Sequence, residues 1–363
     1  MNICVLHGDY LGRDSGPAIV VRNLVEQWSK AHNVTIISGS EFRSSSPVSV
    51  ISTNSSRYLF WLIRTVGLRG ILSRQDIIFD STYTVPLLLY ARIRRRAPVV
   101  SLIHDDQYLE AVTARAPRLA RLRQYVLQQT AVKLSNHIIT ISEDARKRIA
   151  SRYGCNSKIS VIENGVDTEE FRDLRLDRSD VILFVGNIRD QFERKGISTL
   201  LEAMSMLGSD FPALRLVMIG TTSRRLELET ERLGLREKVD GLGFLSRKDL
   251  VRWYNRALAL VLPSRFEGYG LVANEAMACS TPVVVSDGVP ASKIVKQSGA
   301  GFIFPVGNAQ ALSDCIRILI SNRKLARELG LRGHHYVNAE LNWERVSGEY
   351  LSFFRRIAKT RLD

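Results

Sequence analysis

Glu267 and Glu275 stand eight positions apart in residues 264–278, SRFEGYGLVANEAMA, with Gly-Tyr-Gly between them. On one continuous helix that spacing would set the carboxylates about 80° apart around the axis and roughly 12 Å along it. Gly268 and Gly270 argue against a continuous helix, because glycine permits turns and close backbone approach. Glu267 therefore belongs to a strand-to-helix loop, and Glu275 to the first turns of the helix that follows. Backbone N–H groups at such a turn suit a phosphate or sugar oxygen. Carboxylates there accept hydrogen bonds from the hydroxyls of a ribose or a hexose. The plain alternative is a solvated helix start with acids placed well for the dipole. Flanking strand patterns, ALALVLP before and PVVVSD after, favour the ligand reading.

A second stretch, VGNIRDQFERKGI (185–197), runs from a strand end at Gly186 through Arg189, Arg194 and Lys195 to Gly196. Cations at a helix start match a diphosphate. A solvated basic loop is the alternative, and the GxxxxGK[ST] phosphate loop is absent. A third, HGDYLGRDSGPA (7–18), places Gly16 where backbone could approach a phosphate, without the GxGxxG pattern of dinucleotide sites. A fourth, SLIHDD, sets His104 at a strand end beside Asp105 and Asp106. His-Asp-Asp has the look of a metal set but lacks a further ligand, so no metal is expected.

The elements that must position these residues are legible from periodicity. Short apolar runs at 2–6, 33–38, 76–81, 98–104, 137–142 and 158–167 read as strands, with helices over 16–31 and from Ser142 as N-cap. The charged residues 168–180 lack an apolar period and read as a linker. The pattern then restarts with strands at 181–187, 214–220, 239–244, 257–263, 282–287 and 300–305, and helices from about 197, over 223–234 and over 247–256. Apolar strands alternating with helices imply parallel sheets covered on both faces, here in two Rossmann-like halves. Ligands then gather in the loops beyond the strands' carboxyl ends.

Length and composition agree. A chain of 363 residues, 45% hydrophobic, suits two domains with real cores. Its net charge of +14 favours phosphate-bearing partners. No recognition motif or aromatic stacking platform supports nucleic acid. Four cysteines without CxxC pairing read as small buried thiols of a reducing compartment. The N-terminus lacks a signal-peptide pattern and no run is long enough to span a bilayer, so a cytoplasmic protein is expected. Residues 42–75 carry five arginines and no acid, with Tyr58, Phe60, Trp61, Leu62 and Ile63 interleaved, and residues 111–142 carry five basic residues and no acid. Such surfaces suit peripheral contact with anionic lipid on the inner face of the cytoplasmic membrane.

EGYGLVANEA resembles the E-x7-E signature of retaining GT-B glycosyltransferases, in particular family 4 (glycosyl transferases group 1). HIITISEDARKRI, ISVIENGVD, ILFVGNIRDQFERKGISTLLEAM, LRLVMIG, VDGLGFLSRKDLVRWYNRA and GAGFIF follow the family's order over nearly the whole chain. The resemblance implies an α/β GT-B fold of two Rossmann-like parallel-sheet domains facing across a cleft. Residues 1–172, with a crossover helix at about 343–363, would bind acceptor, and 178–342 would bind donor. By position, Glu275 would hold the nucleotide ribose and Glu267 the donor sugar. Backbone at Gly268, Tyr269, Gly270 and Leu271 would contact sugar and diphosphate. Lys195 and an arginine would grip the diphosphate, Gly16 would approach it from the other domain, and His104 would sit by the transferred sugar. Leu245, in the loop 243–246, would meet the base. The family's arginine after the first donor-domain strand is Asn187 here, which leaves Arg194 or Arg189 to replace it, Arg194 being favoured beside Lys195. The family's frequent Glu near Lys293 is also absent.

The implied reaction is metal-independent transfer of a hexose, with retention, from a UDP- or GDP-sugar to a sugar, lipid-linked or glycolipid acceptor, in assembly of cell-surface polysaccharide, lipopolysaccharide or glycolipid. No cofactor is expected. Retaining glycosidases use a carboxylate nucleophile; here both glutamates are assigned to hydroxyls, leaving catalysis to cationic stabilisation of the leaving diphosphate. A nucleotide-sugar epimerase or hydrolase on the same fold is the rival reading, and a nucleic-acid-binding protein a more distant one.

Overall fold

A computed structural model describes residues 1–7, 16–38, 48–52, 69–81, 97–113, 116–189 and 191–359. The arginines at 43, 57 and 64 with their interleaved aromatics, and most of the loops 7–17 and 80–84, lie outside them. The chain forms two compact units, Met1–Gly165 with Trp343–Asp363, and Val166–Asn342.

The first unit carries β1 (Asn2–His7), β2 (Asn33–Ser38), β3 (Ser49–Ser52), β4 (Ile77–Asp80), β5 (Val99–Leu102), β6 (His137–Thr140) and β7 (Ile159–Val161). They form one sheet in the order β3-β2-β1-β4-β5-β6-β7, parallel throughout. Leu6 lies level with Asp80, and Asp80 with Ser101. Its helices are α1 (Gly16–Ser29), the single turn α2 (Arg69–Leu72), α3 (Gln107–Thr113), α4 (Arg118–Leu134) and α5 (Glu143–Tyr153). Central strands bury both faces, as β1 and β4 do, which is why their sequences run apolar without alternation. Ser142 caps α5 through Ala145 N at 3.1 Å, with Glu143 and Asp144 in the first turn and Gly154 closing the helix in the left-handed region. The edge strand β3 was not foreseen. Its four residues, SVIS, offer no apolar run.

The second unit carries β8 (Val181–Val185), β9 (Arg215–Ile219), β10 (Val239–Gly243), β11 (Ala259–Leu262), β12 (Val283–Ser286) and β13 (Gly301–Phe304) in the parallel order β10-β9-β8-β11-β12-β13. Around them are α6 (Ile197–Leu207), α7 (Arg224–Arg232), α8 (Arg247–Arg256), α9 (Leu271–Ala278), α10 (Ala291–Ser298), α11 (Ala309–Ser321) and α12 (Arg323–Glu340). Phe184, Leu200, Leu201, Met204, Leu216, Leu312 and Ile316 build the core on one face of this sheet.

The closing helix α13 (Trp343–Lys359) returns to the first unit. Its Tyr350 and Phe354 meet Trp28 of α1 and Phe79 of β4 with ring centroids 5.3–5.9 Å apart, mostly edge-on, a geometry that aromatic pairs favour. The charged residues 168–180, read from sequence as a linker, pack onto the second unit. Phe171 is buried edge-on to Tyr254, and Leu174 N donates to Asn255 Oδ1 at 2.7 Å. The Arg178 guanidinium bonds Ala257 O, Thr281 Oγ1 and Ser280 O at 2.6–2.9 Å. One buried phenyl and one arginine engaged at its tip leave no periodic trace in sequence.

Candidate functional site

In the second unit the strand order reverses direction between β8 and β11. From β8 the chain proceeds outward to β9 and β10, then crosses back to β11 on the other side. Loops leaving two such neighbouring strands diverge and open a crevice at their carboxyl ends. The two loops here are 186–196, which leads into α6, and 263–270, which leads into α9. Neither helix start is capped by a side chain: the capping residues are Gly196 and Gly270, both left-handed, with φ of 65° and 99°. Neither helix has an acid in its first turn. Two sets of helix-start N–H groups are thus free of an internal carboxylate, which is the local condition for holding an external anion.

The two loops are tied to each other. Glu267 is buried, and its Oε1 accepts from Lys195 Nζ at 2.6 Å and from Ser264 Oγ at 2.7 Å. Its Oε2 lies 3.4 Å from Arg194 Nη1, which also donates to Phe266 O at 3.1 Å. Arg194 Nη2 holds Gln191 Oε1, and Arg265 N bonds Arg194 O at 2.8 Å. Burial alone would raise the Glu267 carboxyl, but Lys195 and Arg194 outweigh it and hold the group below its ordinary value. The cluster is therefore ionised, with two cations for one carboxylate.

Gly196 makes this seating possible. A Cβ there would stand 2.0 Å from the carbonyl oxygen of Pro263, at a φ that side chains rarely adopt. Gly196→Ala is expected to destabilise the protein by about 3 kcal/mol, through left-handed strain plus the displaced Pro263 carbonyl. Denaturant unfolding measures it. A variant as stable as the parent would show that the two loops do not need this contact.

Glu275, on α9, is a separate half-buried carboxylate. Tyr254 OH donates to its Oε2 at 2.7 Å. Burial raises its pKa, against the pull of the Tyr254 bond and of Arg247. Arg247 in turn bonds Glu170 Oε2 at 2.5 Å. Tyr269 points into the core, where its hydroxyl meets Asn274, so it can offer a ligand only its backbone. Arg189 is exposed; its own N–H bonds Asn187 Oδ1 and Thr221 Oγ1 at 3.1 and 3.2 Å. Of the two candidate arginines, the structure brings Arg194 to Lys195 and Glu267. Leu245 is half-buried just beyond β10.

The first unit has its own reversal, between β1 and β4. Gly16 opens α1 near it, after residues outside those described. His104 lies two residues past β5, with its Nε2 buried and unpartnered among the described residues. Desolvation lowers its pKa to about 4, so it is neutral. A residue not singled out from sequence, His7, ends β1 with its Nδ1 2.6 Å from Ser81 Oγ, and its Nε2 is likewise buried and unpartnered among the described residues. Burial and then His104 lower its pKa to about 3. Its sign in sequence was its place directly after the first apolar run, 2–6. Asp105 and Asp106 do not join His104 as ligands. Arg148 holds both oxygens of Asp105 at 2.8 Å, and Arg152 holds Asp106. Among the described residues no His, Cys, Asp and Glu cluster could hold a metal ion, and no helix is long and apolar enough to cross a membrane.

Comparison with known proteins adds a family context. Residues 166–335 match the family described as glycosyl transferases group 1, and residues 15–170 match glycosyltransferase family 4. The chain is 29% identical over 239 residues to an uncharacterized glycosyltransferase of Methanocaldococcus jannaschii, covering 61% of this chain and 60% of that protein. It is 26% identical over 307 residues to the O-antigen chain mannosyltransferase of Salmonella typhimurium, covering 83% and 76%. In fold it is similar to Anabaena HepE, solved in complex with UDP, with a TM-score of 0.78, 18% identity and coverage of 98% and 100%.

Proposed function

Because the chain belongs to the glycosyl transferases group 1, with the family 4 half ahead of it, we propose that it transfers a hexose, with retention, from a nucleotide-diphosphate sugar to an acceptor hydroxyl in the assembly of a surface polysaccharide, lipopolysaccharide or glycolipid. The observation that carries this reading is the Lys195–Glu267–Arg194 cluster between two uncapped helix starts at the reversal of the second sheet.

In this reading the diphosphate lies against Lys195, Arg194 and the starts of α6 and α9. As the glycosidic bond breaks, negative charge grows on the leaving diphosphate oxygen, and cations fixed in place stabilise it without reorganising. Glu267 keeps both cations oriented and accepts a hydroxyl of the sugar. Glu275, with Tyr254 as its second partner, accepts from the ribose. Leu245 and its neighbours meet the base. In the first unit, the neutral imidazole of His104 would offer a sugar hydroxyl a partner, and Gly16 would let backbone approach a phosphate. The two cations supply the charge that a divalent ion supplies elsewhere, so the reading is metal-independent. The acceptor would be sugar, lipid-linked or glycolipid, met by a cytoplasmic protein at an anionic membrane surface.

A thermal-shift screen of UDP- and GDP-sugars, with and without magnesium, tests the donor reading. UDP-sugars come first because the Anabaena neighbour was solved with UDP. A donor at a hundred times its Kd contributes about 2.7 kcal/mol, or roughly 5–11 °C. The same shift is expected in EDTA. Proton NMR of the product from an α-linked donor should show an α-linked product. An inverted anomer would overturn retention, and shifts that appear only with magnesium would overturn metal independence.

A further inference from the structure

The reversal of the first sheet opens a crevice between the carboxyl ends of β1 and β4. His7 and Ser81 stand at those two ends and bridge them, with Nδ1 2.6 Å from Ser81 Oγ. Parallel register brings a third residue to the same face. Leu6 pairs with Asp80 and Asp80 with Ser101, so His7, Ser81 and Leu102 are level. Ile103 N continues the ladder to Ile139 O at 2.9 Å, and the two-residue period returns His104 to the face of Leu102. His7 is fully buried and Ser81 nearly so. The Nε2 atoms of His7 and His104 are both buried and unpartnered among the described residues. The two rings are close enough for His104 to disfavour a charge on His7. Two orphaned imidazole nitrogens beside one strand-end crevice are a cost that native interiors seldom carry without a use.

The hydrogen-bond network assigns the proton on His7. Ser81 Oγ has one hydrogen and two acceptors in reach, His7 Nδ1 and, at 3.2 Å, the Leu6 carbonyl. With the hydrogen on Leu6 O, Ser81 Oγ also accepts from Nδ1–H, and two bonds form. With the hydrogen on Nδ1, only one forms. The first arrangement satisfies more groups, and it leaves Nε2 a bare lone pair. The ring is neutral, because burial and then His104 lower its pKa to about 3. A bare nitrogen repels a diphosphate oxygen, which has no hydrogen to give, and accepts from a hydroxyl. His104 Nε2, on a second neutral ring, meets another hydroxyl as donor or acceptor. Neighbouring hydroxyls on one sugar ring supply both.

We propose that His7, pinned by Ser81, is a sugar-binding residue of this enzyme, its Nε2 accepting from one hydroxyl of a sugar ring while His104 meets the next. The inference deepens the transferase reading and rests on it for the ligand's being a sugar. No bond is made or broken at His7. A nitrogen so weakly basic takes no proton near neutral pH, so its part is to orient the ring. The hydroxyls belong either to the transferred sugar or to a sugar acceptor. Only the first of these is carried by the nucleotide sugar and missing from the free nucleotide, which separates the two sources.

The test is calorimetric titration of the full chain with UDP and UDP-glucose, and with GDP and GDP-mannose, in the parent, His7→Asn and His7→Gln. Asparagine keeps an amide N–H where Nδ1 meets Ser81 and has no atom at Nε2, whereas glutamine places an amide group near Nε2. His7→Asn should weaken the nucleotide sugar by about tenfold, the worth of one hydrogen bond, and leave the free nucleotide within about twofold of the parent. His7→Gln should recover part of the loss. Ser81→Ala, which unpins the ring, should show a smaller loss in the same direction, and it keeps the test decisive where melting shows that His7→Asn does not fold. If the variants keep the parent's margin of nucleotide sugar over nucleotide, the acceptor source is read by saturation-transfer NMR with methyl α-glucoside, methyl α-galactoside and methyl α-mannoside in the presence of nucleotide. Loss of the parent's glycoside signal in His7→Asn supports the site with the hydroxyls on the acceptor. An unchanged margin together with an unchanged glycoside signal would overturn the proposal. So would equal weakening of nucleotide and nucleotide sugar, which makes His7 structural only. A parent that binds none of these nucleotides overturns the transferase reading, and this inference with it, before any histidine variant is read.

Discussion

Lys195→Ala is expected to lower turnover of the nucleotide sugar by about 10²–10³-fold, the usual consequence of removing one preorganised group from a developing negative charge. The structure explains why this single cation should matter so much. Its Nζ is held 2.6 Å from Glu267 with only 12% of the side chain exposed, so its charge is poorly screened and its position is fixed. Arg194 cannot simply take over. Its guanidinium is already committed to Phe266 O and Gln191 as well as to Glu267. Lys195→Arg should recover little, because a planar fork does not fit where a compact ammonium sits between a carboxylate and the turn at Gly196. The fold should survive the alanine change, since Glu267 keeps Ser264 and Arg194. A stopped assay of nucleotide release, with kcat and KM separated, gives the measurement. A kcat within about threefold of the parent would remove Lys195 from the chemistry. A rise confined to KM would make it a binding residue for donor and transition state alike.

Why Lys195, Arg194 and Glu267 could be named from sequence, and Tyr254 could not, follows from what a linear pattern holds. The strands of both sheets announce themselves because both faces are buried and every position must be apolar, as in VILFV and ALVL. Gly-Tyr-Gly and the basic residues before Gly196 mark loops at strand ends, and the reversal of strand order then makes two of those loops neighbours. Between Arg189 and Arg194, which sit in one basic loop, adjacency to Lys195 favoured Arg194, but sequence holds no contact that makes the choice. It is made by the contact of Gly196 with the Pro263 carbonyl, which turns residues 194 and 195 toward Glu267. Tyr254 reaches Glu275 across 21 positions of sequence with no local mark. Residues 111–142 were legible by charge, but helix α4 within them was not, for a physical reason as well. With Gln128 inside and Leu119 and Leu122 outside, its apolar period does not describe a core-facing stripe.

Glu267→Ala should be the most destabilising of the site changes, at about 3–5 kcal/mol, the usual cost of removing one partner from a buried ion pair. That corresponds to a melting temperature lower by on the order of 10 °C. The loss has three parts. Lys195 and Arg194 are left facing each other without a counter-charge, and Ser264 Oγ, which is fully buried, loses its acceptor. The tie between the two loops also goes. Glu267→Gln should cost less, because it keeps an acceptor for Ser264 while removing the charge. The two variants also separate stability from ligand chemistry. A nucleoside diphosphate brings phosphate oxygens to the same cations, so it should stabilise Glu267→Ala by more than it stabilises the parent. The acid limb supplies the sign. The cations hold the folded carboxyl below its ordinary value of 4.5, so at pH values between the two the unfolded chain binds more protons. Stability from this group is then complete above the unfolded value and is lost as the pH falls through the folded one. The stability gap between the parent and Glu267→Gln should therefore be flat above about pH 5 and close on further acidification. A gap that stays open well below that window would mean that the charge of Glu267 is not what binds the two loops together.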